Sequence, residues 1–197
     1  MIEMDNLKTK SKMANKIKIE LGGEMYTLPV KCLETRSYGE NAGEKYINVS
    51  HVAASSLVKQ FVKKKYGTAV ICRVKSSSFS GGNSIDVHIC MPDGSRVPND
   101  IYDAVDGFAN LWKYGNFNGM IDMYEMSDNS GAVSDNGTTL VAGVKYVHVE
   151  NRPRFGTPEW IVNEVTVGGR TFEDAIRFVD DIKSVEKAKL ELENLVV

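Results

Sequence analysis

Hydrophobic and polar positions alternate with a period of two near the start of the chain and then change to a helical period. Between Lys16 and Leu28, apolar residues alternate with polar ones on both sides of Gly22-Gly23, which predicts a β-hairpin. A helix with Ser50 as its N-cap is predicted to run to about Lys65. Its apolar stripe contains Ala54, Leu57, Val58, Phe61 and Val62.

The middle of the chain predicts a strand, a loop, a second strand and a second helix. Residues 69–75 are strand-like, residues 76–83 form a serine- and glycine-rich stretch that predicts a loop, and residues 84–91 alternate clearly between apolar and polar. The alternation places one face of that strand in the core. The second helix is predicted to start at Pro98 or Asn99 and to end at Gly115.

The C-terminal part predicts further strands and one long helix. Residues 120–126, 140–149 and 161–167 are strand-like, and Thr171 is the predicted N-cap of a helix that continues to Leu195. The predicted fold is therefore α+β. It comprises a small, mostly antiparallel sheet with two packed helices, an N-terminal hairpin, and a C-terminal strand and long helix. Residues 1–15 form a predicted flexible basic tail, residues 16–154 the core domain, and residues 155–197 a strand-helix extension.

Composition excludes several classes of protein. No run reaches the roughly 18 apolar residues of a membrane-spanning helix, and no apolar stretch follows the N-terminal lysines as in a signal peptide, so we expect a soluble, cytoplasmic protein. Cys32, Cys72 and Cys90 are odd in number and lack C-x-x-C spacing, which predicts buried free thiols. The histidines lack metal-site spacing, so we expect no metal and no other cofactor.

Charge is distributed unevenly along the chain. Residues 1–75 contain 14 Lys and Arg against 7 Asp and Glu, whereas residues 76–197 contain 10 against 19. The first part therefore has a net charge of +7 and the second a net charge of −9. Such polarity attracts charged partners, although an uneven spread of solvated charge also occurs without any function.

Three sets of residues are candidates for chemistry. Backbone N–H groups of the loop over residues 76–83 could hold a phosphate, although the loop lacks the spacing of a nucleotide-binding P-loop. Asp86 and His88 share the polar face of a strand and could supply a general base with its orienting partner. Arg152, Arg154 and Phe155 have the composition of binding hot spots and of platforms for single-stranded nucleic acid.

The stretch over residues 46–154 resembles a large polyvalent protein-associated domain of phages and conjugative elements. The resemblance rests on YINVSHVA, on VKSSSFSGGNSIDV, on the PDG turn and on GNFNGMID, and the run from Ser78 to Val87 is its specific part. Asn118 stands where an aspartate is expected, and the N-terminal hairpin and the C-terminal segment lie outside the module. The resemblance implies a mobile-element setting, with a part in protecting incoming DNA or countering host defence. It implies no established catalytic residues.

These observations favour an interaction protein of a phage or mobile element that is not an enzyme. In this hypothesis it inhibits a host defence system of the anti-CRISPR or anti-restriction type by binding a host protein complex, and it acts in the host cytoplasm. An acidic surface and the loops near Phe79 and Phe155 would form the contact. The predicted partner-binding residues are Ser78, Phe79, Ser80, Asp86, His88, Arg152, Arg154 and Phe155.

Two alternatives stay open. The first is a nucleic-acid-binding accessory protein that uses the basic N-terminal half of the chain. Its contact residues would be Lys8, Lys10, Lys12, Lys63, Lys64 and Lys65. The second alternative is a small enzyme that works through Asp86 and His88. The sequence leaves the oligomeric state undecided.

Overall fold

The computed structural model describes residues 16–37, 42–118, 123–126 and 137–195, with no account of the side chains of residues 116–118 and 123–126. The fold belongs to the α+β class, as the sequence predicts. Within the described ranges, no helix is both long enough and apolar enough to cross a membrane. The helices are α1 (His51–Tyr66), α2 (Asn99–Asn110), α3 (Pro158–Thr166), α4 (Phe172–Ile176) and α5 (Ile182–Leu195), with a short 3-10 helix at Val30–Cys32.

The strands form several small sheets. They are β1 (Lys16–Leu21), β2 (Glu24–Pro29), β3 (Leu33–Thr35), β4 (Lys45–Ser50), β5 (Ile71–Phe79), β6 (Gly82–Cys90), β7 (Gly115–Asn118), β8 (Met123–Met126), β9 (Thr139–Gly143) and β10 (Tyr146–Glu150). β1 and β2 pair in antiparallel register, which confirms the N-terminal hairpin. β3 and β4 are antiparallel, β4 and β9 are parallel, and β6 lies between β5 and β10. β7 and β8 pair with each other.

The chain divides into two compact units. The first unit consists of the described residues within Met1–Gln60, Ser76–Ile85 and Gly107–Val147. The second unit consists of the described residues within Phe61–Lys75, Asp86–Asp106 and His148–Val197. Each unit is thus built from three separate stretches of sequence. The predicted division into a tail, a core domain over residues 16–154 and an extension over residues 155–197 stays a prediction.

The first unit has an aromatic and aliphatic core. Trp112 is fully buried, and its ring meets that of Phe108 edge-on, with 5.9 Å between the ring centroids. The ring of Tyr26 lies 5.7 Å from that of Phe108. Gln60 fastens α1 to β2 because its amide accepts a hydrogen bond from the Thr27 N–H and donates one to the Thr27 carbonyl, each at 2.9 Å. The predicted stripe of α1 is buried here at Ala54, Leu57 and Val58.

The second unit is fixed by its C-terminal helices. α3 packs against α4 and α5. The centre of the cluster is fully or almost fully buried and consists of Ile161, Val162, Ala175 and Ala188. In the same unit, Val87 and Ile89 of β6 are fully buried, as their alternation predicts. A mostly apolar cleft of about 640 Å³ opens beside these helices, and its lining includes Val165, Phe172 and Leu192.

The predicted strand over residues 161–167 is wrong, because residues 161–166 belong to helix α3 and Val167 is its C-cap. Their β-branched side chains favour a strand on composition alone. However, Thr157 and Pro158 precede them, and proline at the first helical position supplies the φ angle that starts a helix. Ile161, Val162 and Val165 then fall on one buried side at helical spacing.

The predicted long C-terminal helix is interrupted between Ile176 and Ile182. Its start is confirmed, since the Asp174 N–H donates to Thr171 Oγ1 at 3.2 Å. The interruption has its cause at Asp181, whose carboxylate accepts hydrogen bonds from the Lys183 N–H at 3.2 Å and the Ser184 hydroxyl at 2.7 Å. An aspartate with these bonds starts a new helix and competes with continuation of the preceding one.

Candidate functional site

The serine- and glycine-rich stretch is the tip of a β-hairpin. β5 runs as far as Phe79 and β6 begins at Gly82, so only Ser80 and Gly81 form the turn. Such a short connection joins antiparallel neighbours. The predicted loop over residues 76–83 is therefore wrong, because most of these residues have extended backbone in paired strands. The backbone N–H groups of this stretch therefore do not converge to hold a phosphate as predicted, since successive N–H groups of a strand point to opposite sides.

An exposed aromatic pair lies at this tip. The rings of Phe79 and Tyr146 are stacked, with centroids 6.0 Å apart and an interplanar angle of 23°. Phe79 is nevertheless 48% exposed. Ser78 and Ser80 beside it are exposed as well. We call the group of Ser78, Phe79, Ser80, Lys145 and Tyr146 the tip surface.

Side-chain hydrogen bonds hold Lys145 next to the aromatic pair. Its ammonium nitrogen donates to the Gly81 carbonyl at 2.8 Å and lies 5.4 Å from the centroid of the Tyr146 ring. The backbone of Lys145 is fixed by Asn83, whose amide accepts a bond from the Lys145 N–H at 2.8 Å and donates to the Gly143 carbonyl at 3.1 Å. These bonds fix both the backbone and the ammonium group of Lys145 at the hairpin tip.

Replacing Gly82 with alanine should disturb this arrangement. Gly82 has a φ of +140°, and a Cβ atom there would lie 2.6 Å from Lys145 Cδ. We expect a loss of about 2–4 kcal/mol in the free energy of unfolding, measured by urea denaturation, because backbone strain and overpacking act together. Gly23→Ala is the matched control, since its φ is +79° but nothing lies within 4 Å. Equal losses in both variants would show that the contact with Lys145 has no effect.

The second predicted group, around His88, belongs to the second unit. His88 Nδ1 lies 3.5 Å from Glu150 Oε2, and the same carboxylate accepts a hydrogen bond from Arg152 Nε at 2.6 Å. Burial lowers the pKa of His88, and the nearby Glu150 carboxylate only partly opposes this. Among the described residues, none forms a hydrogen bond with His88 Nδ1. Asp86 is half-buried on the same strand.

The segment around Arg154, a predicted contact surface, presents exposed cationic and aromatic side chains. Arg152 and Phe155 are 70% and 58% exposed, and the Phe155 ring lies 4.6 Å from that of Trp160. Asn151 anchors the segment, because its amide accepts from the Val97 N–H and donates to the Val97 carbonyl, both at 2.8 Å. This group lies in the second unit, whereas the tip surface lies in the first.

The lysines of the nucleic-acid alternative divide into two sets. The last turn of α1 carries the exposed side chains of Lys63, Lys64 and Lys65. Cations at a helix C-terminus also interact favourably with the helix dipole. Lys65 Nζ lies 5.4 Å from the Phe61 ring centroid. The other set, Lys8, Lys10 and Lys12, lies outside the described residues.

A buried ion pair in the second unit was not predicted. Glu159 stands in the first turn of α3 with its side chain 2% exposed, and the Arg73 guanidinium binds both carboxylate oxygens at 2.8 to 3.1 Å. Burial raises the pKa of Glu159, but hydrogen bonds and the charge of Arg73 outweigh it, so the net shift is downward. Burial also raises the pKa of the nearby Cys90 to about 12, which leaves that thiol protonated and unreactive.

The fold is of the α+β class, and one β-hairpin presents an exposed, stacked aromatic pair beside a hydrogen-bonded lysine. Comparison with protein-family models, with curated proteins and with solved structures finds no match to this chain. In the described part of the chain, no group of three or more His, Cys, Asp or Glu residues is placed to hold a metal ion. The resemblance over residues 46–154 stays a prediction.

Proposed function

We propose that this chain acts by binding another macromolecule through the tip surface, without a catalytic step. The observation that carries the proposal is the position of Phe79, which stays 48% exposed although it is stacked on Tyr146. Aromatic residues held in this way are typical of binding hot spots. Lys145 and the exposed side chains of Ser78 and Ser80 add polar groups to the same hairpin tip.

The energetics of such a contact are favourable. Covering the exposed half of a phenylalanine removes on the order of 100 Å² from water, which contributes about 2 kcal/mol to association. The bonds from Asn83 and Lys145 fix the tip in advance, so little conformational entropy is lost when the partner binds. A small surface of this kind is sufficient to anchor a larger interface.

The setting that we propose is a phage or mobile genetic element, with a host defence complex as the partner. The resemblance over residues 46–154 supports this setting. The second unit offers further contacts to such a partner, since Phe155 and Arg152 are exposed. Asp100 and Asp103 are exposed one turn apart on α2 and would suit a basic channel.

Capture from a host extract tests the proposal. We expect the tagged full chain to retain one stoichiometric component from a defence-competent host, and the Phe79→Ser variant to lose most of it. Phe178→Ser is the matched control, because Phe178 is 74% exposed in the other unit. Treatment with nuclease then separates a protein partner from nucleic acid. Equal retention by the wild type and Phe79→Ser, or retention of nothing, would contradict the proposal.

A second candidate is nucleic-acid binding through the end of α1. Three consecutive exposed lysines favour it, because each can neutralise a phosphate. Their position at a helix C-terminus is equally well explained by the helix dipole. Binding of this kind would be lost when Lys63, Lys64 and Lys65 are changed to glutamine, whereas a contact made by the tip surface would not.

A further inference from the structure

We propose that the ligand of the tip surface is a single-stranded nucleic acid, with one base stacked against Phe79 and a backbone phosphate beside Lys145. This inference rests on the proposed function, because it names the class of partner for the same surface. Three properties of the tip support it, namely the geometry of its rings, its charge and its hydrogen-bonding groups.

The rings already form the start of a stack. Phe79 and Tyr146 are nearly parallel at 23°, and Phe79 remains 48% exposed in this pair. Every nucleobase has a flat π face, so an unpaired base can extend such a stack whatever its sequence, and each contact is worth about 1–3 kcal/mol. Bases inside a duplex are already stacked on their neighbours, which is why a single strand is the form that fits.

The charge of the tip has one sign. The segments over residues 76–85 and 137–147 contain Lys145 and no other charged residue. The ammonium group of Lys145 is held against the Gly81 carbonyl and the Tyr146 ring, so a positive charge lies next to the aromatic pair. A phosphate next to a stacked base would meet this charge without repulsion from any carboxylate of these segments.

The remaining polar groups of the tip are neutral hydrogen-bonding side chains. Ser78 and Ser80 precede and follow Phe79 in the sequence, and both are exposed. A hydroxyl group can donate and accept, and such side chains bind phosphate and sugar oxygens in many nucleic-acid complexes. The combination of stacked aromatic rings, a lysine and hydroxyl groups without an acidic residue matches a nucleic-acid strand better than the mixed charges of a protein surface.

Fluorescence anisotropy with a labelled oligothymidylate of about 12 nucleotides and the purified full chain tests this inference. We expect binding that a matching duplex does not compete away, and a weakening of about 5- to 150-fold in Phe79→Ala, equivalent to the loss of one stacked base. Phe178→Ala should bind as the wild type does. In Lys145→Gln the slope of log K against log salt should fall by about 0.7, the value for one phosphate on a single strand.

The outcomes separate this inference from the proposed function. If no oligonucleotide binds while the host extract still yields a nuclease-resistant partner that depends on Phe79, the partner is a protein and the inference is overturned, whereas the proposed function stands. Oligonucleotide binding that Phe79→Ala leaves unchanged overturns the inference. So does binding that disappears when Lys63, Lys64 and Lys65 are changed to glutamine but not when Phe79 is changed. Circular dichroism of each variant checks that it is folded.

Discussion

Replacing Arg73 with methionine should destabilise the protein by about 3–5 kcal/mol at pH 7, because the variant leaves a buried carboxylate without its cation. The side chain of Glu159 is 2% exposed, so water cannot take the place of the guanidinium. Urea denaturation followed by circular dichroism measures the loss. A cost below about 1 kcal/mol would show that water or another cation reaches Glu159.

The two partners of this ion pair should not contribute equally. Arg73 is 39% exposed and can be hydrated when its partner is removed. We therefore expect Glu159→Gln to cost only about 1–3 kcal/mol, the range for a lost charge-assisted hydrogen bond. The double variant with methionine at both positions should recover much of the stability lost in Arg73→Met, since no unpaired charge remains buried.

The pH dependence provides an independent check on the same pair. The folded-state pKa of Glu159 lies below its ordinary value, so the pair stabilises the fold above about pH 4.3 and loses this effect as the pH falls through the lower folded value. In Arg73→Met the hydrogen bonds and the charge of Arg73 are lost, so burial, the largest single influence on the pKa of Glu159, is opposed only by hydrogen bonds from its own backbone and from Thr157. The difference in stability between wild type and variant should therefore narrow as the pH falls from 7 toward the ordinary glutamate pKa of about 4.3. A constant difference would mean that the carboxylate is not the cause.

Replacing Trp112 with alanine should cost about 3–5 kcal/mol, which is the range for a fully buried aromatic side chain. Trp112 is 0% exposed and packs edge-on against Phe108. Its backbone also joins two segments, because the Val144 N–H donates to the Trp112 carbonyl at 3.0 Å. The midpoint of urea unfolding measures this effect, and a cost below about 1 kcal/mol would contradict the buried position.

The variant Trp112→Phe serves as the matched control. No described residue accepts a hydrogen bond from Trp112 Nε1, so the indole N–H is buried at a cost of about 1–3 kcal/mol. Phenylalanine removes this cost but leaves a small cavity, and we expect a net change within about 1.5 kcal/mol. A loss as large as that of the alanine variant would indicate that the indole nitrogen has an acceptor after all.

The parts of the fold that depend on local patterns were predictable. Ser50 begins helix α1, and the Ala53 N–H approaches its hydroxyl at 3.5 Å. The alternation of Ile85, Val87 and Ile89 gives three fully buried side chains. In these cases the periodicity of a single element decides which residues are buried. The same reasoning gave a wrong prediction for α3, because it gave the β-branched residues more weight than the helix-start signal at Pro158.

Contacts between distant parts of the chain were not predictable. The sequence indicated Phe79 as a contact residue, but it did not indicate Tyr146 or Lys145, because no pattern states which strands become neighbours. The one available sequence signal that residues 140–149 form two strands was Gly143, which interrupts the predicted strand. A Cβ atom there would lie 2.8 Å from the Val49 carbonyl oxygen, and the structure has two strands separated just after it. Arg73 and Glu159 are 86 positions apart, so their pairing was likewise hidden.

The partition of the second unit among three stretches of sequence determines how this protein can be dissected. A gene fragment that ends before Pro158 lacks Glu159, so Arg73 on β5 loses the carboxylate that it binds. A fragment that begins at Ser76 lacks Arg73 and traps a carboxylate in an apolar interior. Deletion mapping would therefore report on damaged folding instead of function. The contributions of the tip surface and of the segment around Arg154 have to be separated by point substitutions in the intact polypeptide.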